Sequence, residues 1–423
     1  MKADVTPQDR RTTWTPPPRP DWVAKINQEG TRLDIKGIVP LTPDSLIKTA
    51  IANTGLSDFG GEDWREPFEV FCKGLDADAE LTLMGRIMTR SDLLMLLEGR
   101  LQVEHAYKLH PEIDDQEITA PILIVGQGRT GTSAMLNLLS EDPGNAVERT
   151  WQALFPGLPP EGENDEPRIR TADERMRMWS RVTPEMDSIH EFSANIPTEC
   201  IHIQCLSFQS PAWQAIFGQT PALFHYMAGR GMVNSVAYEK RVLKLLQWRY
   251  GESRWILKSP DALNYLPDVL KVYPDLRLIW MHRDPVKSFS SAVSLVGTLT
   301  WARSDMTLSP GSFDTVTDLD ICSAMITRPI DWIEQGLLPK QRLCNIQYLD
   351  FITDPMREVE RIYEFFDLEL SVSGRNGMET YLANNPRSSR PAHKYNTGND
   401  SIVSKERLAF RRYQEYFKVP NEV

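Results

Sequence analysis

The sequence predicts an α/β fold, a parallel sheet flanked by helices with a helical region ahead of it. Short apolar runs of strand length recur at 122–125, 254–258, 276–281 and 344–348. Each is followed by apolar residues at helical spacing, over 135–139, 263–272, 286–296 and 355–366. Strands that alternate with helices are joined by crossovers, which make the sheet parallel and cover both of its faces. Ligands of such folds sit at the carboxyl ends of the strands.

The chain of 423 residues is long enough for a large core, and 41% hydrophobic with 25% charged residues suits a globular enzyme. A formal net charge of -11 argues against a nucleic-acid partner but leaves room for a local basic pocket that takes a small anion. The five cysteines, Cys72, Cys200, Cys205, Cys322 and Cys344, are scattered and lack CxxC spacing, so reduced, buried thiols are expected. The first residues contain no apolar signal region, and no run approaches the roughly 18 apolar residues of a membrane helix. The expectation is a cytoplasmic protein without stable membrane insertion.

Taken in order, the polar, proline-rich residues 1–20 predict a flexible arm. Residues 21–118 predict a helical region, with Leu46, Ile47, Ala50 and Ile51 on one face and helical spacing continuing from Phe68 to Leu101. Within it, Thr89-Arg90-Ser91-Asp92 reads as a helix start with Ser91 as its N-cap. The α/β domain spans 119–423. Inside that domain, residues 151–174 are rich in proline, glycine and acid and read as a loop, while 176–248 read as helical and rich in Met, Phe, Trp and His. Together, about 151–250, they predict a helical insertion that forms a substrate pocket. Asp354 is a candidate cap for the helix at 355–366, and 404–417 reads as a closing helix.

The chemistry begins after the first strand, where 126–133 read GQGRTGTS. The glycines match the GxxxxGK[ST] phosphate loop, so this is a P-loop-type turn, but Thr132 stands in place of the lysine and Arg129 supplies the cation. Backbone N–H groups at the following helix start favour an anion, and the hydroxyls of Thr130, Thr132 and Ser133 add donors. A phosphate-loop kinase also needs an acid after a buried strand to hold magnesium. Here His282-Arg283 follow the third run, and a cation at that edge suits a second anion. His282-Arg283-Asp284 imitates a protein-kinase catalytic loop, but Phe289 occupies the place of the required asparagine.

These elements together resemble the sulfotransferases that use 3'-phosphoadenosine 5'-phosphosulfate (PAPS), and in particular a bacterial branch with an N-terminal helical extension. Gly128, Arg129, Thr130, Gly131, Thr132 and Ser133 are similar to the family's loop for the 5'-phosphosulfate. Arg283-Asp284-Pro285, with Ser291 further on, resembles the motif that binds the 3'-phosphate. Lys258-Ser259 resembles the strand-end lysine motif, and Tyr348-Leu349-Asp350 the segment whose tyrosine stacks on adenine. The resemblance implies in-line transfer of a sulfuryl group from PAPS to a hydroxyl or amine of a small, apolar acceptor, with Lys258 neutralising the leaving phosphate and no metal. Two alternatives stay open: a phosphate-loop nucleotide kinase with a degenerate lysine, and a catalytically inactive nucleotide-binding protein.

The second alternative is motivated by the general base. Family members often carry a histidine two residues after the strand-end lysine, or four after it in the bacterial branch; these positions are Pro260 and Ala262 here. Asp261, between them, reads as a helix cap. The remaining candidates are His190 and Glu199, in a segment whose histidine followed by Pro-x-Glu-Cys resembles the bacterial branch. Glu199 is read as the base or as the carboxylate that orients His190. Each also has a plain structural reading, His190 as a satisfied histidine and Glu199 as a first-turn acid behind Pro197. Arg387, Arg390, His393 and Lys394 cluster where family members close a basic loop over the 3'-phosphate.

Overall fold

The structure is a computed structural model, and it describes residues 10–191, 193–251, 254–308, 313–386 and 394–423. Five strands, β1 (Ile122–Val125), β2 (Asn145–Ala146), β3 (Arg254–Lys258), β4 (Arg277–His282) and β5 (Leu343–Gln347), form one sheet in the order β2-β3-β1-β4-β5. Every pairing is parallel. The chain leaves β1 for β2 and β3 on one side, then crosses to β4 and β5 on the other. The carboxyl end of β1 is therefore a switch point, flanked by the ends of β3 and β4, where a crevice opens for a ligand. The register sets Ile124 opposite Lys258 and Val125 opposite Trp280.

Side chains alternate across the sheet, and both faces are buried. Leu123, Val125, Trp255, Leu257, Leu278 and Trp280 face one core, shared with the N-terminal helices and the insertion. Ile122, Ile124, Ile256, Ile279, Met281 and Ile346 face the other, against the helices Thr132–Leu139 and Pro355–Phe365. Many aromatics of the insertion serve the first core. Phe71 and Trp213 lie 4.5 Å apart between ring centroids, and Phe68 and Phe208 lie 4.6 Å apart. The five cysteines are free and buried. Among the described residues, no helix is long and apolar enough to cross a membrane.

The fold differs from the sequence reading in several places. From Arg10 onward the proline-rich arm is docked rather than loose: Arg10 is buried and pairs with Glu406 and Ser290, and the Arg19 guanidinium lies 3.6 Å from the Trp301 ring centroid. Ser91 caps nothing. The helix Leu83–Leu109 runs through it and starts behind Thr82, whose hydroxyl accepts the Gly85 N–H at 3.1 Å. The loop expected over 151–174 is cut short at both ends by the helices Thr150–Leu154 and Glu166–Val182, the second of which has Pro167 in its first turn. Asp354 does cap the helix Pro355–Phe365, accepting from the Arg357 N–H at 3.1 Å.

Candidate active site

The phosphate loop connects β1 to the helix Thr132–Leu139, whose first-turn N–H groups have no carbonyls within the helix to bind. Gly131 at the N-cap has φ 92° and offers no side chain to satisfy them. A Cβ there would come within 3.0 Å of the Tyr348 ring, so glycine is required on two counts. Arg129 is itself left-handed, with φ 75°, an uncommon state for a side-chain-bearing residue and one that functional loops retain. Gln127, in the same turn, is buried with neither its amide nitrogen nor its oxygen hydrogen-bonded among the described residues.

The candidate residues fall into two groups. In the first, Lys258 ends β3 with its side chain buried. Its Nζ donates to Ser133 Oγ at 2.8 Å and to Glu199 Oε1 at 2.6 Å. Glu199 occupies the N-cap position of the helix Cys200–Gln204, yet its carboxylate makes no cap bond and reaches Lys258 instead. Pairing of the backbone holds it there, through Thr198 N–H to the Glu148 carbonyl at 2.9 Å and Thr150 N–H to that of Ile196 at 3.0 Å. Burial pushes the Glu199 carboxyl upward, but the Lys258 charge and hydrogen bond outweigh it and hold it below the usual range.

His190 belongs to the same electrostatic cluster. Burial first, then the Lys258 charge, lower its pKa to about 4, so the ring is neutral at pH 7. Nδ1 lies 2.7 Å from the Glu191 carbonyl, which only accepts; Nδ1 therefore carries the proton and Nε2 is the basic nitrogen. His202, which the sequence reading passed over, adds a second lowered imidazole, and its Nδ1 is 2.7 Å from Thr198 Oγ1. Asp261 does not cap a helix. It lies in the 3-10 turn Pro260–Asn264, and the next helix, Leu266–Val272, begins behind Tyr265 without a side-chain cap. Burial, reinforced by the Glu199 charge, raises the Asp261 carboxyl to about 7.

The second group lies across the loop. Arg129 was expected beside the loop hydroxyls, but its guanidinium turns the other way: Nε donates to Ser291 Oγ at 3.0 Å and Nη1 to the Ile189 carbonyl at 2.8 Å. Arg283 donates from Nη1 to the Arg129 carbonyl at 2.8 Å and lies 4.1 Å from the centroid of the Tyr348 ring. The same Arg283 forks onto Glu422, a residue with no sequence signal, with Nε to Oε1 at 2.8 Å and Nη2 to Oε2 at 2.9 Å. Asp284 caps the helix Pro285–Trp301 through the Val286 N–H at 3.0 Å and accepts both arms of Arg407 at 2.6 Å. Of the loop hydroxyls, that of Thr130 is fully buried and donates to the Gln127 carbonyl at 2.7 Å, which makes it part of the turn. Thr132 is buried as well, and Ser133 is exposed. Arg387, Arg390 and His393 lie outside the described residues; Lys394 is exposed, and Tyr395 is close enough to interact with Arg283 and Arg129.

The arrangement offers two cationic centres on either side of a turn rich in N–H donors, with a neutral imidazole beside one of them. Residues 121–372 match the model of the Sulfotransferase family. No curated protein sequence matches. Two solved structures share the fold over most of the chain. Sulfotransferase STF1 from Mycobacterium tuberculosis is 27% identical, with a TM-score of 0.73, over 89% of this chain and 98% of its own. Sulfotransferase STF9 from Mycobacterium avium is 25% identical, also with a TM-score of 0.73, over 90% of this chain and 98% of its own. The loop, the sheet that presents it and the match over most of the α/β domain place the chain in one group: it belongs to the sulfotransferase family.

Proposed function

We propose that this sulfotransferase takes its sulfuryl group from PAPS and delivers it to a hydroxyl or amine of a small, apolar acceptor. The observation that carries the reading is the bridge from Ser133 through Lys258 to Glu199, which ties the phosphate loop to the segment bearing the candidate base. The residues present fit a nucleotide with anions at both ends. The open helix start, Ser133 and Lys258 form one anion site; Arg283, Arg129 and Ser291 form the other. The unsatisfied Gln127 amide also suits a ligand against the loop. Tyr348 offers a ring for the base at the Arg283 end.

When bound, the donor supplies a sulfuryl group whose bond to the bridging phosphate oxygen breaks as the acceptor atom bonds to sulfur. His190 takes the acceptor's proton at Nε2. Glu199 is a poor base while Lys258 holds it, and acts by fixing the ammonium. Lys258 meets the charge that collects on the departing oxygen.

The test is a titration with adenosine 3',5'-bisphosphate against ATP-magnesium, followed by transfer of labelled sulfate from PAPS across a panel of alcohols, phenols, amines and sterols. Binding of the bisphosphate in preference to ATP-magnesium, with label moved to at least one acceptor, is the expected outcome. Tight ATP-magnesium binding without bisphosphate binding would return the chain to the kinase alternative. Bisphosphate binding without transfer to any acceptor would favour the inactive one.

A further inference from the structure

We propose that Glu422 competes with the donor's 3'-phosphate for Arg283, so that residues 420–423 act as a displaceable latch over that end of the site. The inference rests on the donor reading above. A guanidinium recognises carboxylate and phosphate through the same in-plane fork. In this structure that fork is filled by the Glu422 carboxylate, at 2.8 and 2.9 Å, while the remaining guanidinium nitrogen holds the Arg129 carbonyl. Both partners are largely buried, with side-chain exposures of 13% and 14%, so the pair is not a solvated surface contact.

The latch has an anchored end and a replaceable end. Arg407 grips the Asp284 carboxylate, and Asp284 also caps the helix that carries Ser291, so this part is built into the fold. Val419 is buried in the core and its N–H donates to the Gln414 carbonyl at 2.9 Å, so the chain is fixed as far as that residue; beyond it, 420–423 hang by few bonds. The Glu422 N–H donates to Asp284 at 2.6 Å, the Val423 carbonyl accepts from Arg407 at 2.8 Å, and Gln414 donates to Asn421 at 2.9 Å. The Glu422 side chain can leave Arg283 while the Asp284–Arg407 pair persists. A second anion arriving at Arg283 displaces a carboxylate, and the carboxylate returns as that anion leaves. Glu422 thus weakens binding of both the donor and its bisphosphate product, and it favours release of the product.

The experiment measures the affinity of adenosine 3',5'-bisphosphate and of adenosine 5'-monophosphate for the wild-type protein, for Glu422→Gln and for a form lacking residues 421–423. With the competitor removed, the bisphosphate should bind about tenfold more tightly, because the competent state no longer has to be won from the latch. The monophosphate, which has no 3'-phosphate, should bind all three alike. Wild-type binding of bisphosphate with unchanged or weaker affinity in both variants overturns the latch alone, and makes Glu422 a residue that orients Arg283. Failure of all three to bind bisphosphate overturns the donor reading, and the latch with it.

Discussion

The Lys258 ammonium lies 2.6 Å from the Glu199 carboxylate at the end of β3, and both groups are held away from bulk water. Removing one charge leaves the other stranded. Glu199→Gln should therefore lower unfolding stability by about 3 kcal/mol in urea titrations. Lys258→Ala should slow sulfuryl transfer about 10²–10³-fold in single-turnover assays, because charge on the departing oxygen is no longer met. Transfer at the wild-type rate by Lys258→Ala would remove the lysine from the chemistry.

His190 is expected to act as a neutral base. Its pKa is depressed to about 4, so the basic form predominates above that pH and disappears as pH falls through it. Rate profiles between about pH 6 and 9 should show no rising limb from this residue, and His190→Ala should slow transfer about 10²-fold with bisphosphate affinity unchanged. A rising limb near the ordinary histidine value, absent in His190→Ala, would contradict the assignment.

Asp261 holds its proton up to about pH 7 because its ionised form would be buried beside Glu199. Above that pH the new negative charge offsets part of the Lys258 charge, so the transfer rate should fall as pH rises through about 7. Asp261→Asn should abolish that fall. The sign for stability is the same: a carboxyl raised in the folded state favours folding at low pH, and that contribution is lost as pH rises through about 7.

Gly131→Ala combines a left-handed backbone, φ 92°, with a contact of 3.0 Å to the Tyr348 ring. The strain is about 1–3 kcal/mol, and the loop should relieve it by shifting. Bisphosphate affinity should drop about tenfold or more while circular dichroism stays native. Native affinity in Gly131→Ala would show that the loop tolerates a Cβ.

His282 predicts a stability change in mild acid. Burial depresses its pKa to about 3, with Nδ1 2.9 Å from the Tyr413 hydroxyl and Nε2 2.8 Å from Asn345 Oδ1. The unfolded chain therefore binds a proton that the folded chain refuses between about pH 6.5 and 3. Its contribution is intact above that window and lost progressively as pH falls through it. Urea midpoints compared at about pH 7.5 and 5 should register the loss, and His282→Gln should shrink the slope by up to one proton.

What the sequence made legible follows from which forces are local. β1, β3 and β4 were readable because strands buried on both faces become continuous apolar runs, and β5, an edge strand, because its buried Leu343, Cys344 and Ile346 keep an apolar pattern around the exposed Asn345. β2, two half-buried residues at the sheet edge, has no such run. The turn between β1 and the helix Thr132–Leu139 was readable because glycine spacing records backbone shape. The turning of Arg129 toward Ser291 was not, since it depends on a partner 162 positions away. Glu422 meets Arg283 across 139 positions, and no periodicity or motif encodes that pairing. Ser91 was misread as a cap because its neighbours imitate a helix start, while Thr82 ahead of it supplied the real one.

The shared core has a practical consequence for dissection of the molecule. Leu123 and Val125 of the central strand sit in one apolar cluster with Phe68 and Phe71 of the N-terminal helices and with Phe208 and Trp213 of the insertion. A fragment cut to 121–372, the span that matches the family, would carry that cluster with part of its covering missing. It would expose a broad greasy face during refolding and self-associate rather than form a minimal working unit. The sheet and the helices that precede it thus share one apolar core, and the strand ends are backed by both.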